Sequence, residues 1–289
     1  MKTKADFEKI RRLSADIRIY TLKGLAASVG FGHIGGAMSI ADVLAVLYGG
    51  MMKVHPDDPK WEDRDYLVLS KGHCGPALYA ALALKGYYPV SWLETINGPE
   101  TRLPSHADGR KTPGVDISTG SLGQGMSAAA GIALGNAMNG KKNYTYCIIG
   151  DGECQEGQVW EGIMFSVHQK LDHLIIFVDD NKKQLDGPVK EIQNPLSFEE
   201  KFKTFGCHVK KVCGYDCEEI WEATEEAKHV RGCPSVIILD TEKGIGCNFA
   251  EKESFNHYMT FDVKMAEGAC EEIERRLRDN TYPRGEQND

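Results

Sequence analysis

Two short stretches of this chain carry residue types suited to gripping a charged ligand. Gly150-Asp151-Gly152 follows the apolar run 145–149, and Asp179-Asp180-Asn181 follows a second apolar run, 174–178. Runs of that length, bounded by turn residues, read as buried strands. Residues 155–168 between them carry helical spacing. A strand–helix–strand unit brings both strand ends to one carboxyl edge of a parallel sheet. An aspartate, an asparagine carboxamide and glycine-exposed backbone N–H groups then converge. Hard oxygen ligands beside bare amides suit a divalent cation carrying a diphosphate. Gly-Asp-Gly alone is a common structural turn; Asn181 after the next strand gives it chemical meaning.

Four histidines stand where acid–base chemistry would want them. His33, His73, His106 and His257 all lie in breaks between elements marked by Gly, Pro or Asn. Loops on a rigid α/β scaffold favour binding and proton transfer, and an unperturbed imidazole titrates near ~6.5. A single loop histidine most often faces solvent; four at successive element ends form a pattern. No H-x₃-H pair supports metal coordination by these four.

The elements that must position these groups alternate along the chain. Apolar spacing predicts a helix over 5–29 and, after the break at 31–36, a second from Ser39 as N-cap to residue 48. A strand over 66–70 turns through Gly72-His73 into a helix over 76–85. Residues 97–123 read as one long loop, and 124–138 as a helix of small residues suited to close approach. Beyond the central unit come a helix at 198–205, a strand at 208–212, a helix at 218–229 and a strand at 235–240. A loop from Gly244-Ile245-Gly246 through His257 leads to a helix over 263–277. Such alternation predicts one doubly wound α/β domain over 1–289 with a mostly parallel sheet, 246–289 being a closing loop and C-terminal helix.

A net charge of −8 and the lack of a basic, aromatic-laced run argue against a nucleic-acid surface. No apolar stretch approaches the ~18 residues that would span a membrane, and no apolar segment of a signal peptide follows the first residues. Nine cysteines without a C-x-x-C pair suggest reduced thiols and a cytoplasmic location. Cys154, just past the Gly-Asp-Gly turn, reads as a packing residue rather than a redox centre.

Four segments occur in order: Gly32-His33-Ile34-Gly35-Gly36, Leu69-Ser70-Lys71-Gly72-His73, Ser118-Thr119-Gly120-Ser121-Leu122-Gly123-Gln124-Gly125, and Gly150-Asp151-Gly152-Glu153-Cys154-Gln155-Glu156-Gly157. Together they resemble the transketolase family over nearly the whole chain, and the third is the most specific. The Gly-Asp-Gly/Asn181 pair is similar to the thiamine diphosphate fingerprint, with Asp180-Asn181 where an Asn pair is usual. The resemblance implies the thiamine-diphosphate-binding fold, in particular the N-terminal subunit of a split transketolase. Magnesium or calcium would be held by Asp151, Asn181 and the backbone carbonyl of Lys183. His73 and His257 would meet the diphosphate and the reacting centre, while His33 and His106 would bond sugar hydroxyls and move protons. Gly120, Ser121, Leu122, Gly152, Glu153, Asn181 and Leu185 would contact the cofactor, and Glu156 and Glu161 would lie on the helix crossing toward a partner.

The implied reaction is reversible transfer of a two-carbon ketol unit between sugar phosphates, with the cofactor as electron sink. The glutamate that activates the cofactor in this family belongs to a pyrimidine-binding domain, and the residues after 245 are too few to form one. The expectation is therefore a second subunit carrying the pyrimidine-binding and C-terminal domains, in a heterotetramer with two copies of each chain. Ile34, Ser105, Ala107, Asn256 and Tyr258 depart from the family's usual pattern around the histidines, which leaves an unusual branched-chain or sulfonated ketose open as substrate. A 2-oxoacid dehydrogenase subunit would share the fingerprint but not the four histidines. A non-catalytic interaction subunit would need neither.

Overall fold

The computed structural model describes residues 2–285. Helix α1 (Lys4–Ser28) opens on a capping box, the Thr3 hydroxyl accepting from the Asp6 N–H while the Asp6 carboxylate accepts from the Thr3 N–H. A two-residue strand, β1 (Phe31–Gly32), precedes α2 (Gly35–Ser39) and α3 (Ala41–Val46). Ser39 is therefore not the N-cap expected of it. It ends α2, and its hydroxyl donates to Asp179 Oδ2 at 2.8 Å, because a buried carboxylate there is the stronger acceptor.

Strand β2 (Tyr66–Leu69) leads into α4 (Gly75–Lys85), and the long connection after it ends at α5 (Gln124–Met138). The central unit is β3 (Thr145–Gly150), α6 (Gly157–His168) and β4 (Leu174–Asp180). Helix α6 starts two residues later than its apolar spacing suggests, since Gly152–Gln155 first forms a 3₁₀ turn. There follow α7 (Val189–Gln193), α8 (Phe198–Phe205), β5 (His208–Cys213), α9 (Cys217–His229), β6 (Ser235–Asp240), α10 (Asn248–Glu251), β7 (Met259–Thr260) and α11 (Val263–Arg278). The short elements α7, α10 and the β1–β7 pair carry too little periodicity to be seen in the sequence.

The main sheet is wholly parallel with strand order β2-β3-β4-β6-β5. Its interior strands are buried on both faces, which explains their unbroken apolar runs. Tyr146, Ile148, Phe177 and Leu239 face a core shared with Leu22 of α1, Leu44 of α3, Leu82 of α4, Ile220 of α9 and Ile273 of α11. Cys147, Ile149, Ile176, Val178 and Ile238 face the opposite core, with Ala129 of α5, Ile163 of α6 and Phe202 of α8. The doubly wound reading holds. No helix among the described residues is long and apolar enough to cross a membrane.

A fully buried ion pair ties the first core together. Arg18 Nη2 donates to Asp42 Oδ2 at 2.6 Å, Ser14 Oγ donates to Asp42 Oδ1 at 2.6 Å, and Arg18 Nε donates to the Ile245 carbonyl at 3.0 Å. This bracket fixes the loop after β6 against α1. Removing one partner strands the other charge in an apolar interior. Asp42→Ala should therefore cost about 3–5 kcal/mol of unfolding free energy, measured by denaturant titration. A loss within experimental error would show that the pair is dispensable.

Candidate active site at the carboxyl edge of the sheet

Register decides which residues meet at the sheet edge. Gly150 pairs with Asp179 and Asp180 with Asp240, so the turns after β3, β4 and β6 open side by side. Asp151 N–H donates to the Asp179 carbonyl at 3.2 Å. The Asp151 carboxylate accepts from the Gly152 N–H and the Lys182 N–H, each at 2.7 Å. Asn181 Oδ1 accepts from the Lys183 N–H at 3.2 Å. The two turns are thus stitched into one clamp.

Beside the clamp the chain encloses a cavity of about 360 Å³. The 97–123 connection forms part of its wall and is pinned rather than loose. Ala107 N–H donates to the Gly72 carbonyl at 3.1 Å, Thr119 N–H to the Ala107 carbonyl at 3.0 Å, and Tyr79 Oη to the Pro104 carbonyl at 2.7 Å. A Cβ on Gly72 would lie 2.6 Å from the Thr119 carbonyl oxygen, so only glycine admits this approach.

The four histidines meet around His33. Its ring centroid lies 5.3 Å from that of His73, 5.3 Å from His106 and 5.2 Å from His257. His73 and His257 are 4.7 Å apart. The β1–β7 pairing, Gly32 against Met259, brings His33 beside His257. Burial holds His73 well below the usual imidazole range, and lowers His33 to about 4, aided by His106 and Lys243. His257 falls to about 3, first through burial and then through Lys243. Partial burial also lowers His106. At neutral pH these rings are uncharged, so each can donate from one nitrogen and accept at the other.

Two lysines for which sequence reasoning had no role complete the floor. Lys71 Nζ donates to the Asp179 carboxylate; burial alone would lower its pKa, but Asp179 outweighs that and raises it. Lys243 has no carboxylate partner among the described residues. It donates to the Lys183 and Gln184 carbonyls at 3.1 and 3.2 Å and sits 2.9 Å from His257 Nδ1. Burial first, then Lys71, brings it down to about 8. The available signals were a lysine in Ser70-Lys71-Gly72-His73 and one just past β6, before Gly244.

Of the residues expected at the site, the cavity gathers all four histidines with Asp151, Gly152, Glu153, Asn181, Lys183, Gly120, Leu122 and Leu185. Ser121 faces a neighbouring hollow instead. Both Glu153 oxygens are engaged: Oε1 by Ser70 Oγ and the Gly123 N–H, Oε2 by the Gly150 N–H. That carboxylate ties three loops together at the wall of the cavity. Among the departures from the family pattern, Ile34, Ala107 and Asn256 are buried. Ser105, 3.4 Å from His33 Nδ1, and Tyr258, whose ring lies 4.8 Å from that of His33, touch that histidine and line a separate hollow beside the site.

The donor set fits a divalent cation with an anionic ligand. Burial, then Asp179, pushes the Asp151 carboxyl up to about 7, a strain that a bound cation relieves. Asn181, with its amide oxygen, and Lys183, with its main-chain carbonyl, line the same cavity as Asp151, and all three offer hard donors. No three His, Cys, Asp or Glu side chains among the described residues form a metal cluster; the set here is one carboxylate with neutral oxygens. Two buried ammonium groups and the Gly152 turn face the same space, which suits a diphosphate.

A family model described as the transketolase, thiamine diphosphate binding domain matches residues 9–264. The chain belongs to the transketolase family. It is 52% identical over 260 residues to a 6-deoxy-6-sulfo-D-fructose transketolase subunit of a Clostridium species, spanning 90% of this chain and 94% of that one. It is 34% identical to an apulose-4-phosphate transketolase subunit of Actinobacillus succinogenes, over 92% of this chain and 96% of that one. The solved transketolase of Leishmania mexicana superposes with a TM-score of 0.85 at 29% identity, covering 97% of this chain. This chain spans 43% of that longer transketolase.

The lowered histidines make stability depend on pH. Below ~6.5 the unfolded chain binds protons that the folded rings refuse, so stability falls as pH drops toward about 4 for His33. Asp151, raised to about 7, works in the opposite direction over the same range. Comparison with a variant isolates the histidine. The melting temperature of His33→Asn should fall less than that of the wild type between pH 7 and pH 5, read by circular dichroism; equal falls would contradict the burial argument.

Proposed function

We propose that this chain is the diphosphate-binding subunit of a two-chain transketolase, with 6-deoxy-6-sulfofructose the first ketose donor to test. The carrying observation is the ring of neutral histidines over a cavity floored by buried lysines and an oxygen-donor clamp. The higher identity to the sulfofructose subunit, 52% against 34% for the apulose-phosphate one, sets the order of donors.

When bound, thiamine diphosphate supplies the nucleophilic carbon and electron sink for transfer of a two-carbon unit. Asp151, Asn181 and the Lys183 carbonyl would hold magnesium or calcium, and the Gly152 backbone, His73 and Lys243 would meet the diphosphate. His257 would stand between that tail and the reacting centre. His33 and His106 would bond the sugar hydroxyls and exchange protons with them, which neutral imidazoles do without first losing a charge. Gly120, Ser121, Leu122 and Leu185 would flank the cofactor rings.

Leu122 and Leu185 are 38% and 60% exposed at the edge of this cavity, apolar surface that a second polypeptide would cover. Both the 52% and the 34% identical relatives are named as subunits. A heterotetramer with two copies of each chain follows from this reading.

The chain mixed with its partner should turn over 6-deoxy-6-sulfofructose in the presence of an aldose phosphate, magnesium and thiamine diphosphate. A coupled assay comparing that donor with fructose 6-phosphate sets the preference. Asp151→Ala should abolish turnover at ordinary cofactor concentrations while leaving the far-ultraviolet circular dichroism of the chain unchanged. Retained turnover in that variant would overturn the assignment.

A further inference from the structure

Asp179, which no expected cofactor or cation contact uses, is a heavily engaged acceptor under the clamp. It lies near the end of the central strand β4 and is fully buried. Its Oδ2 accepts from Ser39 Oγ at 2.8 Å, from Asn181 Nδ2 at 2.8 Å, and from Lys71 Nζ. Its main-chain carbonyl accepts from the Asp151 N–H at 3.2 Å. Its Oδ1 is buried with no hydrogen-bond partner. One residue thus touches both halves of the oxygen-donor set and the buried lysine beside it.

The bond to Asn181 has a directional consequence. A carboxamide can present either its oxygen or its amine to a neighbour, and the two faces are nearly the same shape. An ionised carboxylate accepts only. Facing Asp179, Asn181 must therefore turn its amine inward, where the amine also lies 3.3 Å from Ser39 Oγ. The Asn181 oxygen is then left pointing outward, toward the Lys183 N–H at 3.2 Å and the place where a cation would sit. Lys71 Nζ and Ser39 Oγ donate to the same carboxylate oxygen, so the oxygen that Asn181 faces is an acceptor on every side.

We propose that Asp179 is a positioning residue which sets the Asn181 carboxamide oxygen-outward and links it to the Asp151 turn, so that the cation site exists before the cation arrives. This rests on the functional reading above. An asparagine at 179 could donate as well as accept, and Asn181 could then turn its amine outward. Metal affinity falls by roughly 10–100-fold when such supporting partners are lost in other sites.

The test is a magnesium titration of thiamine diphosphate binding, followed by calorimetry on the full chain assembled with its partner subunit. Asp179→Asn leaves Lys71 a buried, unpaired cation, so its folding is guarded by a second pair: Lys71→Met against Lys71→Met/Asp179→Asn. The double variant should need about tenfold or more magnesium than Lys71→Met alone. The reciprocal exchange Asp179→Asn/Asn181→Asp keeps one amide facing one carboxylate and a carboxylate oxygen outward, and should recover most of the loss. Equal magnesium requirements for Lys71→Met and the double variant would overturn the proposal, leaving Asp179 as a counter-ion for Lys71 only. A folded exchange variant without recovery would overturn it too. A wild-type complex that binds no thiamine diphosphate removes the functional reading itself, a distinct result from either.

Discussion

Charges taken out of water at the carboxyl edge of β4 are what the surrounding structure is arranged to hold. Asp151, Asp179, Lys71 and Lys243 are all buried there, and an isolated buried charge costs several kcal/mol. The cost is tolerable only because each group has defined partners: backbone amides for Asp151, three donors for Asp179, and two carbonyls for Lys243. A parallel sheet with helices on both faces supplies that frame, since it aligns several strand ends at one dry edge. The packing of the two cores is in this sense subordinate to the edge.

The same requirement explains the tight stitching around the histidines. A long loop that merely draped over the surface could not hold His106 within 5.3 Å of His33. Backbone bonds at Gly72, Ala107 and Thr119 remove that freedom. The Arg18–Asp42 bracket acts from the far side, reaching the Ile245 carbonyl and so steadying the loop that carries His257. Asn256, buried next to that histidine, adds bonds to the Lys243 and Ala250 carbonyls at 2.7 and 2.9 Å. Asn256 is thus part of the loop's frame, whereas Tyr258 packs against the His33 ring.

Much of this is legible in the amino-acid order because it depends on strand ends. Buried parallel strands show as unbroken apolar runs, and whatever follows each run lands at one edge. Asp151, Asn181, His73 and His257 stand out that way, whereas His33 and His106 show only as histidines in breaks between elements. Lys71 and Lys243 do not, because a lysine carries no sign of whether its ammonium is buried or solvated. Ser39 misleads because a serine before a helical run caps a helix as a rule, and nothing local reveals a carboxylate waiting 140 residues on. Glu153 matches a motif, but its role comes from partners at Ser70 and Gly123 that only the fold brings near.

The central claim is that this edge is a cation-dependent diphosphate site completed by a second chain. Isothermal titration of thiamine diphosphate into the mixed subunits, with and without magnesium, tests it most directly. The account predicts saturable binding that requires both magnesium and the partner chain. Absence of binding to the mixture in magnesium, or binding indifferent to the metal, would contradict it.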